Sequence, residues 1–442
     1  MTTRRILNLI LILSASLSSL NAQTINIDYA NKKQQINMIG ADMERSQSFL
    51  QQAANPQEIA NWLYKDIPYM TCRVSYDKQQ EMVKGHKNLG FYDNAIKSMK
   101  MVRIANPAVQ FYATMKSDYN GYDKENNLAD WICDYKPTTR FDIDGYARFL
   151  ADYLELMHKE GVGIKYLSVS KEWVEVITIQ RTVEIIKSLN QILAERNVPI
   201  PLYTDPGAWS IDQGVKFVNT AIDKSLTDYF YAFSTHDYGK SKLSYIEFAE
   251  ACKRAGKFAW NDETNLGSGG RTFGAESKIE SQIRIYAKRA DMYAAGMNGE
   301  IVFENFSRGI KGETRSIYFN AGETGRRMRS YYVGKAFASH IFGYNYIQTT
   351  DIDMDGLKSI VFADDKEIAI CLINQEDNVN KSVKLNVLNV AAAKESIVQS
   401  FDSLTVKEGE FKTLKAISKN SFTLDVKAKS ISFIVIPVKA NK

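Results

Sequence analysis

From about residue 35 to residue 345 this chain alternates short β-branched and aromatic runs with amphipathic helical stretches. That alternation limits its folds more than any other feature. The strand-like runs are INMIG (36–40), YMTCRVS (69–75), VQFYATM (109–115), IKYLSVS (164–170), IPLYTD (200–205), YFYAFSTHDYG (229–239), KFAWNDE (257–263) and GEIVFENF (299–306). Segments 142–161, 181–197 and 277–296 carry apolar residues at helical spacing, and the first of them stops at Gly161. Eight strands separated by helices is the count of a (β/α)8 TIM barrel. Open doubly wound sheets use fewer strands and favour a glycine-rich phosphate turn after the first. The glycine cluster GSGG (267–270) follows the seventh strand without GxGxxG spacing and reads as a loop.

After residue 345 the texture changes. LKSIVFADDKEIAICLINQ, KSVKLNVLNV, ESIVQSFDSL and SFTLDVKAKSISFIVIPVK have period-2 patterning with turn residues between them. This predicts an antiparallel β-sandwich of seven or eight strands. Residues 24–40 alternate in the same way before the first barrel strand, and their first part is assigned to the sandwich. The expected organisation is a signal peptide at 1–22, a barrel over 39–345, and a smaller sandwich built from 23–38 plus 346–442.

The leader has Arg4 and Arg5, an apolar stretch ILNLILIL (6–13) too short to span a bilayer, and a small residue, Ala22, before Gln23. Cleavage near Ala22 and secretion or periplasmic delivery are expected. Without Arg4 and Arg5 the formal charge falls from +5 to +3 over a mixed-sign surface. No basic run marks a nucleic-acid or membrane partner, and a monomer is expected. Cys72, Cys133, Cys252 and Cys371 lack zinc spacing. Cys72 and Cys371 lie inside apolar strand patterns and are expected as buried free thiols.

In such a barrel, function lies at the C-terminal ends of the strands. In strand order the rim offers Asp42, Glu44 and Arg45; Arg73, Tyr76 and Asp77; Lys116, Asp118 and Tyr119; Lys171, Glu172 and Trp173; Asp205 and Trp209; His236, Asp237 and Tyr238; Trp260, Asp262 and Glu263; Glu304 and Arg308. The set is dense in carboxylates and aromatics, with no Ser–His–acid order and no histidine cluster for a metal. Indoles stack on the apolar faces of sugar rings, and paired carboxyls cleave glycosidic bonds, one protonated and one ionised. Strands four and seven oppose each other across an eight-stranded barrel, so Glu172 and Glu263 could meet over the pocket. No metal or organic cofactor is needed for that reaction.

At these residues the chain resembles glycoside hydrolase family 30, a family of retaining glycosidases with a barrel and a side sandwich. The resemblance rests on INMIGADMERS, on the stretch FDIDGYARFLADYLELMHKEGVGIKYLSVSKE ending at Glu172, on HDYG (236–239), on FAWNDE (258–263) and on the closing AKSISFIVIPV. It implies Glu172 as general acid/base and Glu263 as nucleophile, held ionised by Arg73 and Tyr238, with His236, Trp209 and Trp260 shaping the sugar subsite. Two positions depart from the family. Lys171 replaces the asparagine that precedes the acid/base and bonds the sugar's 2-hydroxyl, and Trp173 replaces the proline that follows it. The strand-three loop also lacks the family's Trp- and Pro-rich sequence. Lys171 and Trp173 join the expected substrate-binding set. The lysine charge would lower the pKa of an adjacent carboxyl, where a general acid wants the reverse. Lys171 therefore points elsewhere, pairs with an acidic group such as a substrate uronate, or impairs the acid/base. The leading expectation is a secreted retaining β-glycosidase acting on an oligo- or polysaccharide. The alternatives are a catalytically impaired carbohydrate-binding barrel and a surface interaction protein.

Overall fold

The computed structural model describes residues 22–116, 127–134, 140–238, 241–264, 278–306, 315–350, 353–405 and 407–439. All of the expected leader but its last residue lies outside them, as do the GSGG segment, Asp118, Tyr119, Gly239 and Arg308.

Strands β1 (Gln23–Asp28) and β2 (Lys32–Gln35) come first. Eight parallel strands follow: β3 (Met38–Asp42), β4 (Thr71–Tyr76), β5 (Gln110–Met115), β6 (Ile164–Ser168), β7 (Leu202–Thr204), β8 (Ala232–Ser234), β9 (Phe258–Thr264) and β10 (Gly299–Val302). They close into a barrel in that order, with β10 paired back to β3. A helix follows each strand in turn: α1 (Pro56–Asn61), α2 (Asp93–Ala105), α3 (Ile143–Lys159), α4 (Ile179–Glu195), α5 (Ile211–Asp223), α6 (Tyr245–Arg254), α7 (Ile279–Ala294) and α8 (Arg329–Ala338). Each strand-like run read in the sequence holds one barrel strand. The start of α3 shows how local chemistry sets a boundary: the Asp142 carboxylate caps it by accepting from the Gly145 N–H at 2.8 Å. Its end is marked by Gly161, whose φ of +76° suits a residue without a Cβ.

The period of two along each strand divides the barrel into two apolar layers. Cys72, Val74, Phe111, Ala113, Leu167 and Phe233 face the helices in one large core. Met38, Tyr112, Ala232, Trp260 and Ile301 fill the barrel interior. All four cysteines are buried, and Cys72, Cys252 and Cys371 are free thiols. Burial pushes the Cys72 thiol up to about 12.

The second domain is a β-sandwich whose strands come from both ends of the described chain. β1 pairs in parallel with Lys381–Leu388, and β2 pairs antiparallel with Asn345–Ile347. With these two, twelve strands join in one continuous hydrogen-bonded array. The expected seven or eight falls short because pieces such as Asp353–Met354 and Ala391–Ala392 are too short to carry a periodic signal. One sandwich face turns to the barrel helices: Phe433 packs edge-on against Tyr286, with ring centroids 5.9 Å apart, and Phe362 against Tyr293 at 5.1 Å. Among the described residues no helix is long and apolar enough to cross a membrane.

Beneath that contact a buried ion pair ties α7 to β10. Arg289 Nε donates to both carboxylate oxygens of Glu300 at 2.9 Å, and the Tyr293 hydroxyl donates to the same group at 3.0 Å. Removing one partner of a buried pair leaves an uncompensated charge. Glu300→Leu is therefore expected to cost about 3–5 kcal/mol in urea unfolding. A loss under ~1 kcal/mol would show that the pair is not desolvated in this way.

Candidate active site

Arg73 organises the upper end of the barrel. It points inward from β4, fully buried, level with Asp42 on β3 and Tyr112 on β5 in the strand register. Its Nε donates to the Asp42 carboxylate. Its Nη1 donates to the Asp262 carbonyl at 2.7 Å and its Nη2 to Glu263 Oε2 at 2.6 Å. Strict alternation on β9, with Trp260 and Asp262 inside, would turn Glu263 outward. A register shift between β9 and β10, lying between Glu300 and Val302, breaks the alternation and allows two adjacent residues to face the interior. The Asn261 side chain accepts the Glu263 N–H at 3.1 Å across this irregularity.

Glu263 is 2 % exposed, and its other oxygen accepts from the Tyr238 hydroxyl at 2.7 Å. Burial pushes its carboxyl up, but the charges of His236, Arg73 and Lys171 outweigh burial and hold it well below the usual carboxylate range. Asp42 goes the other way. Burial, reinforced by Glu44, Glu263 and Glu304 against the pull of Arg73, raises its carboxyl to about 7.

Glu172 follows β6 and is 4 % exposed. Its φ is +63°, the left-handed region that costs a residue with a Cβ of the order of 1–2 kcal/mol. The conformation is held from the loop after β7, where the Glu172 N–H meets the carbonyls of Pro206 at 2.8 Å and Gly207 at 3.2 Å. The same loop accepts the His236 N–H at Ala208 (2.7 Å) and the Tyr238 N–H at Trp209 (3.1 Å). Loop 205–209 thus fixes the backbone of three site residues at once.

His236 joins the two carboxylates. Its Nδ1 lies 2.8 Å from Glu172 Oε1, and its Nε2 lies 3.3 Å from Asp262 Oδ1 and 3.7 Å from Glu263 Oε2. Burial alone would lower its pKa. Glu263 and Asp262, with hydrogen bonds to Asp262 and Glu172, outweigh burial and raise it to about 10, so the ring is an imidazolium at neutral pH. Glu172, His236 and Glu263 each bring an oxygen or ring nitrogen within 4.8 Å of the others. That spacing could hold a metal. Arg73 and Lys171 already bring positive charge to Glu263 in this group.

Lys171 has its partner on the β3 side of the rim. Its Nζ donates to Glu44 Oε2, and both side chains are buried. Burial favours loss of the Lys171 proton, but Glu44 and Glu263 outweigh it and raise the pKa. The tryptophans separate. Trp209 is half-buried, its ring lying over Tyr238 with centroids 4.6 Å apart. Trp173 is buried in the main core. Trp260 sits low in the barrel interior, its indole N–H donating to Asn37 at 2.9 Å and its ring against Tyr166 and Tyr231. Three residues below Glu263 is ~10 Å along a strand, so Trp260 is a plug of the barrel and Trp173 a core residue; neither is a sugar platform.

Thus Glu172, Glu263, Arg73, His236 and Tyr238 come together in one cluster, with Lys171 bound to it through Glu44 and Trp209 at its edge. Two members stood among the strand-end residues of the sequence but were given no role there. Asp262 accepts from the Tyr112 hydroxyl at 3.0 Å beside His236, and Glu44 is the counter-ion of Lys171. Clefts also lie elsewhere, such as the groove between α8 and the sandwich lined by Tyr332, Lys335, Gln399 and Phe411. They hold no such pair of buried carboxyls, and chemistry, not cavity size, marks the site.

No family model matches this sequence. No curated protein matches it by sequence. The fold has clear counterparts among solved glycoside hydrolases. A glycoside hydrolase family 30 subfamily 8 xylanase from Clostridium acetobutylicum superimposes with a TM-score of 0.67 at 17% identity, over 94% of this chain and 99% of that one. A family 30 endoxylanase from Clostridium papyrosolvens gives 0.65 at 18%, over 93% and 99%. An endo-β-1,6-glucanase gives 0.66 at 14%, over 96% of both. At these identities the likeness is one of fold: barrel and side sandwich are arranged as in family 30 enzymes.

Gly207, with φ at +60°, lies where a Cβ would come 2.9 Å from Asp262 Oδ2 and 3.3 Å from His236 Nε2. Gly207→Ala is expected to cost ~1–3 kcal/mol in urea unfolding through backbone strain and this clash. An unchanged midpoint would contradict the rigid loop described here.

Proposed function

We propose that the chain is an exported retaining β-glycosidase that hydrolyses an oligo- or polysaccharide by double displacement. One observation carries this reading. Two buried carboxylates end opposed barrel strands and bring an oxygen of each within 4.8 Å of the other, in unlike surroundings. Retaining enzymes keep such carboxyls ~5–5.5 Å apart, whereas inverting enzymes need ~6.5–9.5 Å to admit a water. Glu263 is the nucleophile. Arg73 and Tyr238 hold it ionised, and it attacks the anomeric carbon to form a glycosyl ester. Glu172 gives its proton to the leaving oxygen, then takes one from the water that cleaves the ester. The apolar leader supports export. The binding-only alternative rested on Lys171 perturbing Glu172, and the commitment of Lys171 to Glu44 favours the enzyme.

With aryl β-glycosides and β-linked polysaccharides, Glu263→Gln is expected to lower kcat about 10⁴-fold while calorimetric binding of product oligosaccharides persists. Unchanged hydrolysis in that variant, or a wild type that turns over none of the panel, would contradict the proposal. The acid limb of kcat/KM reports protonation of Glu263 and should fall below pH ~4. Lys171→Met removes a charge that keeps this carboxyl low, so the limb should move to higher pH. A limb that stays in place would remove Lys171 from the nucleophile's environment.

A further inference from the structure

Both ring nitrogens of His236 face carboxylates, Nδ1 in a hydrogen bond and Nε2 in a looser ion-pair contact, which gives it a task other than lining a sugar subsite. Nδ1 is 2.8 Å from Glu172 Oε1, and Nε2 is 3.3 Å from Asp262 Oδ1. Among the described residues, the other charged groups near it are Glu263 at 3.7 Å and, beyond that carboxylate, Arg73 and Lys171. The Tyr238 ring meets the imidazole edge-on, with centroids 5.6 Å apart. The parts are held rigidly: loop 205–209 takes the backbone N–H of both Glu172 and His236, and the missing side chain of Gly207 leaves room for the His236–Asp262 contact. Asp262 is itself fixed by the Tyr112 hydroxyl.

We propose that His236 is a positioning residue for the acid step, working as a Glu172–His236–Asp262 chain. The inference rests on the glycosidase reading. With a proton on each ring nitrogen, the Nδ1–H binds Glu172 Oε1 and leaves the acid proton on Oε2. As the glycosidic C–O bond breaks and its electron pair goes to the leaving oxygen, that proton moves from Oε2 to the same oxygen. Glu172 becomes a carboxylate beside the imidazolium. The hydrogen bond gains charge assistance at that moment, so it stabilises the transition state more than the ground state. When water cleaves the Glu263 ester, its proton returns to Glu172 and the cycle closes. Asp262 holds the ring orientation and balances the imidazolium charge. The three acidic neighbours of His236 outweigh its burial and raise its pKa to about 10.

Leaving-group dependence tests this, because only a poor leaving group needs the acid. His236→Asn is expected to lower kcat/KM about 10²-fold or more for an alkyl β-glycoside and less than about 10-fold for the dinitrophenyl glycoside of the same sugar. Equal losses on the two substrates, with an active wild type, would overturn the inference and make His236 a support of the nucleophile or the fold. A wild type that turns over neither substrate would overturn the glycosidase reading beneath it. Imidazole ¹⁵N shifts of the native protein need no turnover and no folded variant. Of the four histidines, one should stay doubly protonated through pH 8, where an ordinary imidazole titrates near 6.5. Four rings all neutral at pH 8 would equally overturn the inference.

Discussion

Burying the guanidinium of Arg73 leaves five N–H donors and a full charge that only closely packed acceptors can satisfy. The groups that do so are the Asp42 carboxylate, the Asp262 carbonyl and the Glu263 carboxylate, so one side chain spans the barrel from β3 to β9. The chemistry follows from that placement. Glu263 stays ionised although buried, whereas Asp42, taken further by desolvation, is raised to about 7. Two carboxyls bonded to one cation end with opposite tendencies because Glu263 also meets His236 and Lys171, while Asp42 has Glu44 and Glu304 nearby. Balanced against each other, these groups form a site that is buried yet charged.

Much of this was legible in the sequence. The barrel strands announce themselves through β-branched runs between helical patterns, and Glu172 and Glu263 are the acids that end strands four and seven. Two adjacent carboxylates facing one pocket were not legible from period two, which would have turned Glu263 outward. The irregularity opposite Ile301 that brings both inward is a matter of pairing with β10, and no residue of β9 advertises it. The tryptophans were misread for a related reason. An indole at a strand end looks like a sugar platform, but Trp260 lies a full strand-turn below the rim and Trp173 turns into the core. Depth along a strand and direction after it depend on neighbours that a single sequence does not display.

Lys171 shows how a long-range partner changes a residue's meaning. Beside Glu172 in the sequence, it looked like a threat to a general acid. In space it belongs to Glu44, whose place 127 residues earlier gave no hint of the pairing. The loop after β7 was read only for its side chains, Asp205 and Trp209, whereas residues 205–209 work mainly through backbone carbonyls, which are silent in a sequence. Through them Glu172 keeps a left-handed conformation and His236 keeps its place between acids.

The central claim is that Glu172 and Glu263 act as a double-displacement pair. The anomeric configuration of the first product reads this directly, followed by ¹H NMR during the earliest turnover of a β-glycoside. The account predicts the β-anomer first, with the α-anomer appearing only through later mutarotation. Initial release of the α-anomer would mean single displacement by water, and would contradict the role given to Glu263.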